Sequence, residues 1–221
     1  MTRAKRTLDL VCAGVGVALL APLFLFIALL VKAEDGGPVF FKQERIGYRG
    51  RPFRMWKFRT MVPDAEACGL PLTVGRDVRV TGVGAWLRRL KLDELPQLFN
   101  VVVGDMTLVG PRPEVPRYVA LYRADQRRVL ELMPGVTDEA SIRYANEGTM
   151  LAAAADPERF YVEQIVPEKI RLNLAYAGRA TVWTDLRVIL ATLRRLVWAR
   201  DGIHDAATSG SEDRFAPRSM T

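Results

Sequence analysis

Residues 91–100, "KLDELPQLFN", set two carboxylates side by side, Asp93 and Glu94, directly behind the cations Arg88, Arg89 and Lys91. One reading is a helix start, with Asp93 as N-cap, Glu94 as the first helical residue and Pro96 in the first turn, where a missing N–H costs little. The other is chemical: a helix N-terminus ringed by cations keeps a carboxylate ionised and attracts phosphate. Farther along, "PRP" fixes Arg112 between Pro111 and Pro113. An arginine held that way grips phosphate through its planar fork with little freedom left to lose. Lys57 and Arg59 in "KFRTM" add positive charge. One carboxylate to attack phosphorus or hold Mg²⁺, a second beside it, and cations for the displaced oxygens would make a phosphoryl-transfer site. The sequence has no GxxxxGK[ST] motif, which argues against a nucleotide triphosphatase. Its one histidine, His204, lies in a polar tail, which leaves no Ser-His-Asp triad and no histidine-rich metal site.

The elements that must carry these residues come from a chain of 221 residues with 49% apolar content, enough for one domain with a real core. A net charge of +7 favours an anionic partner: nucleic acid, an anionic membrane surface or a phosphorylated small substrate. Cys12 sits in an apolar run and Cys68 in a loop, which indicates neither a disulfide framework nor a zinc site and fits a reducing cytosolic face. From Leu10 to Val31 no residue is charged. As a straight helix that stretch is about 33 Å long, enough to span a bilayer. It is too long for a signal-peptide core and lacks a small-x-small cleavage signature. Basic residues flank it on both sides, Arg3, Lys5 and Arg6 before it and Lys32, Lys42 and Arg45 after it, so both flanks read as cytoplasmic. Pro22 supplies a place to break and turn back. A re-entrant hairpin and a tilted span both remain open on these grounds.

After "EDGGP", the stretch 39–61 alternates aromatic or apolar with basic residues around Gly47, Gly50 and Pro52, which predicts two short strands. "VPDAEACGLPLTVGRDVRVTGVG" reads as a loop, followed by a helix from Val83 to Leu90 and another from Asp93 to about Val103. "GDMTLVGPRPEVP" is expected as a rigid extended loop, Tyr118 to Leu132 as helix and "MPGVTDEASIRYANEG" as loop. Residues 151–176 read as mixed helix. In "TDLRVILATLRRLVWAR", Leu186, Ile189, Leu190, Leu193 and Val197 recur at helical spacing, a stripe for core packing or for docking at a membrane interface. From Ile203 on, the chain reads as a disordered tail.

The run "LDELPQLFNVVVGDMTLVGPRPE", together with "KFRTM", the apolar segment with its central proline and "PGVT", resembles the bacterial monotopic phosphoglycosyl transferases. These start polysaccharide or glycan assembly on polyprenyl phosphate. The resemblance covers residues 3–198. It implies an α/β, mostly helical fold: a re-entrant membrane helix-break-helix (1–34) broken at Pro22, a catalytic domain (35–202) with amphipathic interfacial helices and a short β-hairpin, and a tail (203–221). It implies Asp93 as nucleophile on the sugar-linked phosphorus of a UDP-sugar, releasing UMP and leaving an aspartyl-phosphosugar that polyprenyl (undecaprenyl) phosphate then accepts. Glu94 assists, and both carboxylates serve as ligands of the Mg²⁺ cofactor. Lys57, Arg59 and Arg112 bind phosphate, and Pro111, Pro113 and Glu114 form the nucleotide-sugar loop. The implied partners are the UDP-sugar, polyprenyl phosphate and membrane lipids at the cytoplasmic face of the bacterial inner membrane, with no nucleic acid and with a homodimer as an assembly to test. Two departures stand out. Ala21 precedes Pro22 where relatives often carry serine, and "PGVT" continues as "DEASIRYANEG" where many carry "GWAQVNGR". Residue roles are therefore carried over only as far as Thr137, with Arg143 added as a further phosphate contact and Asn146 and Glu147 as sugar selectors. The competing expectation is a membrane-anchored basic module for nucleic acid or anionic lipid, which would need no carboxylates.

Overall fold

The computed structural model describes residues 2–63, 65 and 77–208, with 196–208 described as backbone only. Cys68, part of the loop expected after Met61, and the tail from 209 on lie outside the described residues.

The Thr2 hydroxyl accepts the Lys5 N–H at 3.2 Å and starts helix α1, Arg3–Asp35. Gly36, at φ 72°, ends it by donating its N–H to the Lys32 carbonyl. The helix is apolar on two faces. Ala13, Phe24, Ile27 and Val31 are buried against the body, while Val11, Val15, Leu19, Phe26 and Leu29 form an exposed stripe at helical spacing. The helix continues through Pro22, so the expected helix-break-helix is corrected to one continuous helix with a proline inside it. Pro22 withholds a single N–H, and Leu20, Leu23 and Phe24 pack on the body on either side of it.

Strands β1, Phe40–Ile46, and β2, Pro52–Phe58, form the expected antiparallel hairpin, with Phe41 opposite Lys57. Helix α2, Gly82–Leu90, is capped by Thr81, whose hydroxyl accepts from Gly84 N at 3.0 Å. Lys91 then takes a left-handed φ of 57°, the chain makes a 3-10 turn over Leu92–Glu94, and α3 begins only at Gln97 and ends at Val103. Phe24 from α1 meets Phe58 and Phe99 edge-on at 5.5 and 5.6 Å, tying α1, β2 and α3 into one apolar cluster.

The segment expected as extended loop contains strand β3, Thr107–Val109, which pairs in parallel with β4, Gly135–Thr137. Helix α4, Pro116–Val119, and a 3-10 stretch, Gln126–Glu131, replace the single helix expected over Tyr118 to Leu132. The expected loop after Met133 instead holds β4, α5 (Glu139–Arg143) and the start of α6 (Glu147–Ala153). The cause of α5 is Asp138, whose carboxylate caps Ser141 N at 2.5 Å. Helix α7, Pro157–Phe160, a π-helical turn over Tyr161–Ile165 and α8, Val166–Ala177, follow. Helix α9, Val182–Thr208, runs past Ile203, where disorder was expected, because extending a formed helix is far easier than starting one. On α9, Val188 is buried and Leu186 and Ile189 are half-buried, but Trp183, Leu190 and Leu193 are exposed, so the stripe serves the core with only part of its width.

Candidate active site

The loop 91–96 is framed by α2 and α3, and both helices are pinned to α1. Near the start of α1, Arg6 donates to the Val101 and Val102 carbonyls at 2.6 and 3.0 Å, placing a cation on the last turn of α3. Asp9, buried, accepts from the Thr107 hydroxyl at 2.6 Å and Leu108 N at 3.1 Å, which fixes β3. At the far end, Glu34 accepts Val83 N at 3.0 Å and Asp35 pairs with Arg59 at 2.5 Å. Asn100, fully buried in α3, accepts Trp56 N at 3.0 Å and donates to the Arg54 carbonyl at 2.8 Å. It thereby staples α3 to the strand that carries Lys57.

The loop after β3 is set by two glycines. A Cβ on Gly135 would lie 2.1 Å from Gly110 N, and one on Gly110 would lie 2.3 Å from the Met133 carbonyl oxygen. Only glycine lets the two backbones approach so closely. That approach aims Pro111-Arg112-Pro113 at the dyad. Arg112 N donates to Asp138 Oδ2 at 2.8 Å, and its guanidinium is ion-paired with Glu94 Oε1. Lys57 Nζ stands 3.5 Å from the same oxygen.

The two neighbouring acids thus end in opposite states. Burial opposes charge on Glu94, but Arg112 and Lys57 outweigh it and hold that carboxyl well below the usual range. Asp93 is pushed above the usual range by burial and then by the Glu94 charge, with Lys57, Lys91 and Arg88 pulling the other way. Asp93 Oδ1 is buried and meets no hydrogen-bond donor. The capping reading is therefore overturned: α3 starts after Pro96 with no side-chain cap, and Asp93 lies in the preceding turn. Burial lowers Lys57 to about 8, with Glu94 only partly restoring it.

Asp93, Glu94, Lys57 and Arg112 are brought together as expected. Pro111, Pro113 and Glu114 line an adjoining cavity with Arg112. Two of the expected phosphate contacts are not brought in. Arg59 donates to Asp35 and to the Pro38 carbonyl, serving the α1–β1 corner, and Arg143 is largely exposed on α5, 3.8 Å from Glu168. Sequence reasoning missed Gln97, which is fully buried with neither amide atom partnered, one helical turn beyond Asp93. A polar residue at a core position was the available signal. Asn100 and Asp138 were missed for the same reason. Among the described residues no group of three or more Asp, Glu, His or Cys is gathered as a metal centre. The arrangement offers one unsatisfied carboxylate oxygen, a partner carboxylate held ionised, and two cations within reach of a phosphate placed there.

A family model for bacterial sugar transferases matches residues 1–199. The chain is 35% identical over 198 residues to the UDP-N-acetylgalactosamine-undecaprenyl-phosphate N-acetylgalactosaminephosphotransferase of Aeromonas hydrophila, covering 87% of this chain and 43% of that protein. It is 36% identical over 204 residues to the UDP-glucose:undecaprenyl-phosphate glucose-1-phosphate transferase of Caulobacter vibrioides, covering 87% and 69%. The uncharacterized sugar transferase EpsL of Bacillus subtilis is 36% identical over 193 residues, with 87% of each chain covered. The chain spans less than half the length of the Aeromonas relative and of the undecaprenyl-phosphate glucose phosphotransferase of Komagataeibacter xylinus.

Proposed function

The chain belongs to the bacterial sugar transferase family, and from that premise we propose that it moves a sugar-1-phosphate from a UDP-sugar to polyprenyl phosphate through Asp93. The observation that carries this reading is the buried, unpartnered Asp93 Oδ1 beside a Glu94 already taken by Arg112 and Lys57. A buried carboxylate oxygen without a donor is costly unless its lone pairs have a task. Here the task is attack on phosphorus: a bond forms from Asp93 to the sugar-linked phosphorus, and the bond to the oxygen of UMP breaks with its electron pair leaving on UMP. A phosphate oxygen of the lipid then attacks the same phosphorus, the Asp93 carboxylate leaves, and a polyprenyl diphosphosugar results. Lys57 and Arg112 supply fixed positive charge to the phosphoryl oxygens. Two adjacent carboxylates, one with a free oxygen, also fit Mg²⁺, which commonly takes one or two carboxylates and fills its shell with water and substrate phosphate. Asp93 and Glu94 would hold it, and when bound it would neutralise charge on the diphosphate.

A shallow seat on the cytoplasmic face of the inner membrane belongs to the same proposal. The exposed stripe of α1, with Trp183, Leu190 and Leu193 of α9, supports it.

The test is Asp93→Asn in the full chain. Asparagine is nearly isosteric and relieves a buried charge, so the variant should melt no lower than wild type. It should lose at least about a thousandfold in UMP release from UDP-sugars with polyprenyl phosphate and Mg²⁺. Wild type given a UDP-sugar without acceptor should gain the mass of one phosphosugar at Asp93. A folded variant keeping more than about a tenth of wild-type turnover would remove Asp93 from the mechanism.

A further inference from the structure

Beside Arg112 lies a cavity of about 170 Å³, walled by the Pro111–Pro113 loop, the end of β1 and helix α8. Arg112 thus touches both the dyad and this space. The charges around the cavity cancel. Arg45, Arg112 and Lys169 face Glu114, Asp138 and Glu147. Arg45 is paired with Glu114 at 3.3 Å and Lys169 with Glu147, while the Arg112 guanidinium is taken by Glu94 at the dyad and Asp138 accepts the backbone N–H of Arg112 at 2.8 Å. A phosphate would find no unmatched cation among these groups, so a neutral occupant fits better.

The wall is rich in acceptors. Three carboxylates accept only, and Asn173, 6% exposed on α8, adds an Oδ1 that is buried without any hydrogen-bond partner. Such an orphan marks a polar group waiting for a donor. Uracil linked through its ring nitrogen has a single N–H and two carbonyl oxygens, which would face carboxylates of like polarity. A sugar ring carries several O–H donors, or an acetamido N–H, together with a C–H face. Leu130, Leu132, Val166 and Ile170 supply apolar wall for that face.

We propose that this cavity receives the glycosyl ring of the nucleotide-sugar donor, and that Asn173 Oδ1 selects it by accepting a hydroxyl or acetamido hydrogen. The proposal rests on the transferase reading above and adds to it where the sugar sits and which residue reads it. Glu147, expected as a sugar selector from sequence, lines the same cavity; Asn146 does not.

The experiment compares wild type, Asn173→Leu and Asn173→Asp in the full chain. It measures kcat/KM with UDP-glucose, UDP-galactose and their 2-acetamido counterparts, inhibition by UMP, and thermal melting. Asn173→Leu should lower kcat/KM about tenfold or more for the preferred donor and reorder the four donors. UMP, which has no sugar, should inhibit it as it does wild type, and the melting point should not fall, because an unsatisfied buried amide has been removed. Asn173→Asp keeps an acceptor in nearly the same shape and should recover part of the loss. Unchanged kcat/KM for all four donors in Asn173→Leu would overturn the proposal. So would UMP inhibition weakened by the same factor as kcat/KM, which would put the nucleotide in the cavity, or a loss that is equal for every donor and tracks a fall in melting point. Wild type inactive with every donor is a different result: it would sink the transferase reading and this inference with it.

Discussion

Asp93 and Glu94 are adjacent in the chain, yet their cations are not shared equally. Arg112 and Lys57 both lie on Glu94, so Asp93 is left as the more basic oxygen and the better nucleophile. In the mechanism proposed above, this asymmetry sets a pH profile. Asp93 must be ionised to attack, so kcat/KM should rise with pH through its raised value. Lys57 must be charged to hold phosphate, and burial has brought it down to about 8, so kcat/KM should fall as pH climbs through about 8. An unperturbed lysine would place that limb near 10.4. Lys57→Arg should carry the alkaline limb beyond pH 10, because guanidinium does not titrate there, while lowering the plateau through changed geometry. An alkaline limb that stays near 8 in Lys57→Arg would assign it to another group. The dyad, Lys57 and Arg112 were legible in the sequence because each sits in a short motif of telling chemistry. Arg59 shows where such reading fails. Two residues from Lys57 it would share a strand face, but β2 ends at Phe58, and Arg59 turns instead to Asp35 and Pro38.

Elements with strong periodicity were read correctly: the hairpin of β1 and β2, helix α2 and the first turns of α9. Apart from α5, which a local Asp138 cap starts, those missed are short and depend on distant partners. Strands β3 and β4 are three residues each, carry no usable period, and exist because two remote backbones meet through Gly110 and Gly135. Helix α3 starts later than expected because Lys91 turns left-handed and a 3-10 turn intervenes, a tertiary choice that local propensity does not encode. The glycine pair makes a prediction at this scale. In Gly135→Ala the new methyl would meet Gly110 N at 2.1 Å and its carbonyl oxygen at 2.4 Å, so β4 must part from β3. Overpacking of this kind costs about 1–3 kcal/mol or more, and the shift is passed to Pro111-Arg112-Pro113. Chemical denaturation should show that loss, with UMP release reduced further than the unfolded fraction explains. Gly148→Ala is the control. Its Cβ meets nothing within 4 Å inside α6, so stability should hold or rise by about 0.5–1 kcal/mol. Equal stability of the two variants would mean that β3 and β4 are not held in close contact.

Taken whole, the molecule uses α1 as its spine. A helix of 33 residues is about 50 Å long, well beyond the ~30 Å hydrocarbon core of a bilayer. Yet it meets the body at Lys5, Arg6 and Asp9, again at Ala13, Phe24, Ile27 and Val31, and finally at Glu34 and Asp35. Standing it across a membrane would drag Asp9, Arg59, Asn100 and the hairpin into hydrocarbon, or else strip away every contact at one end. Either is expensive, because buried polar groups that lose partners cost about 1–3 kcal/mol each and charged ones more. A seat in which both ends stay on one face, with the stripe Val11, Val15, Leu19, Phe26 and Leu29 turned to lipid, keeps every contact. Single cysteines at Arg3 and at Glu44, both exposed, in a background with Cys12 and Cys68 replaced by serine, report on this arrangement. In intact cells both should resist a membrane-impermeant maleimide, and after permeabilisation both should react. One site reacting from outside while the other stays protected would mean that α1 crosses the membrane, and that its contacts to the body at one end do not form in the cell.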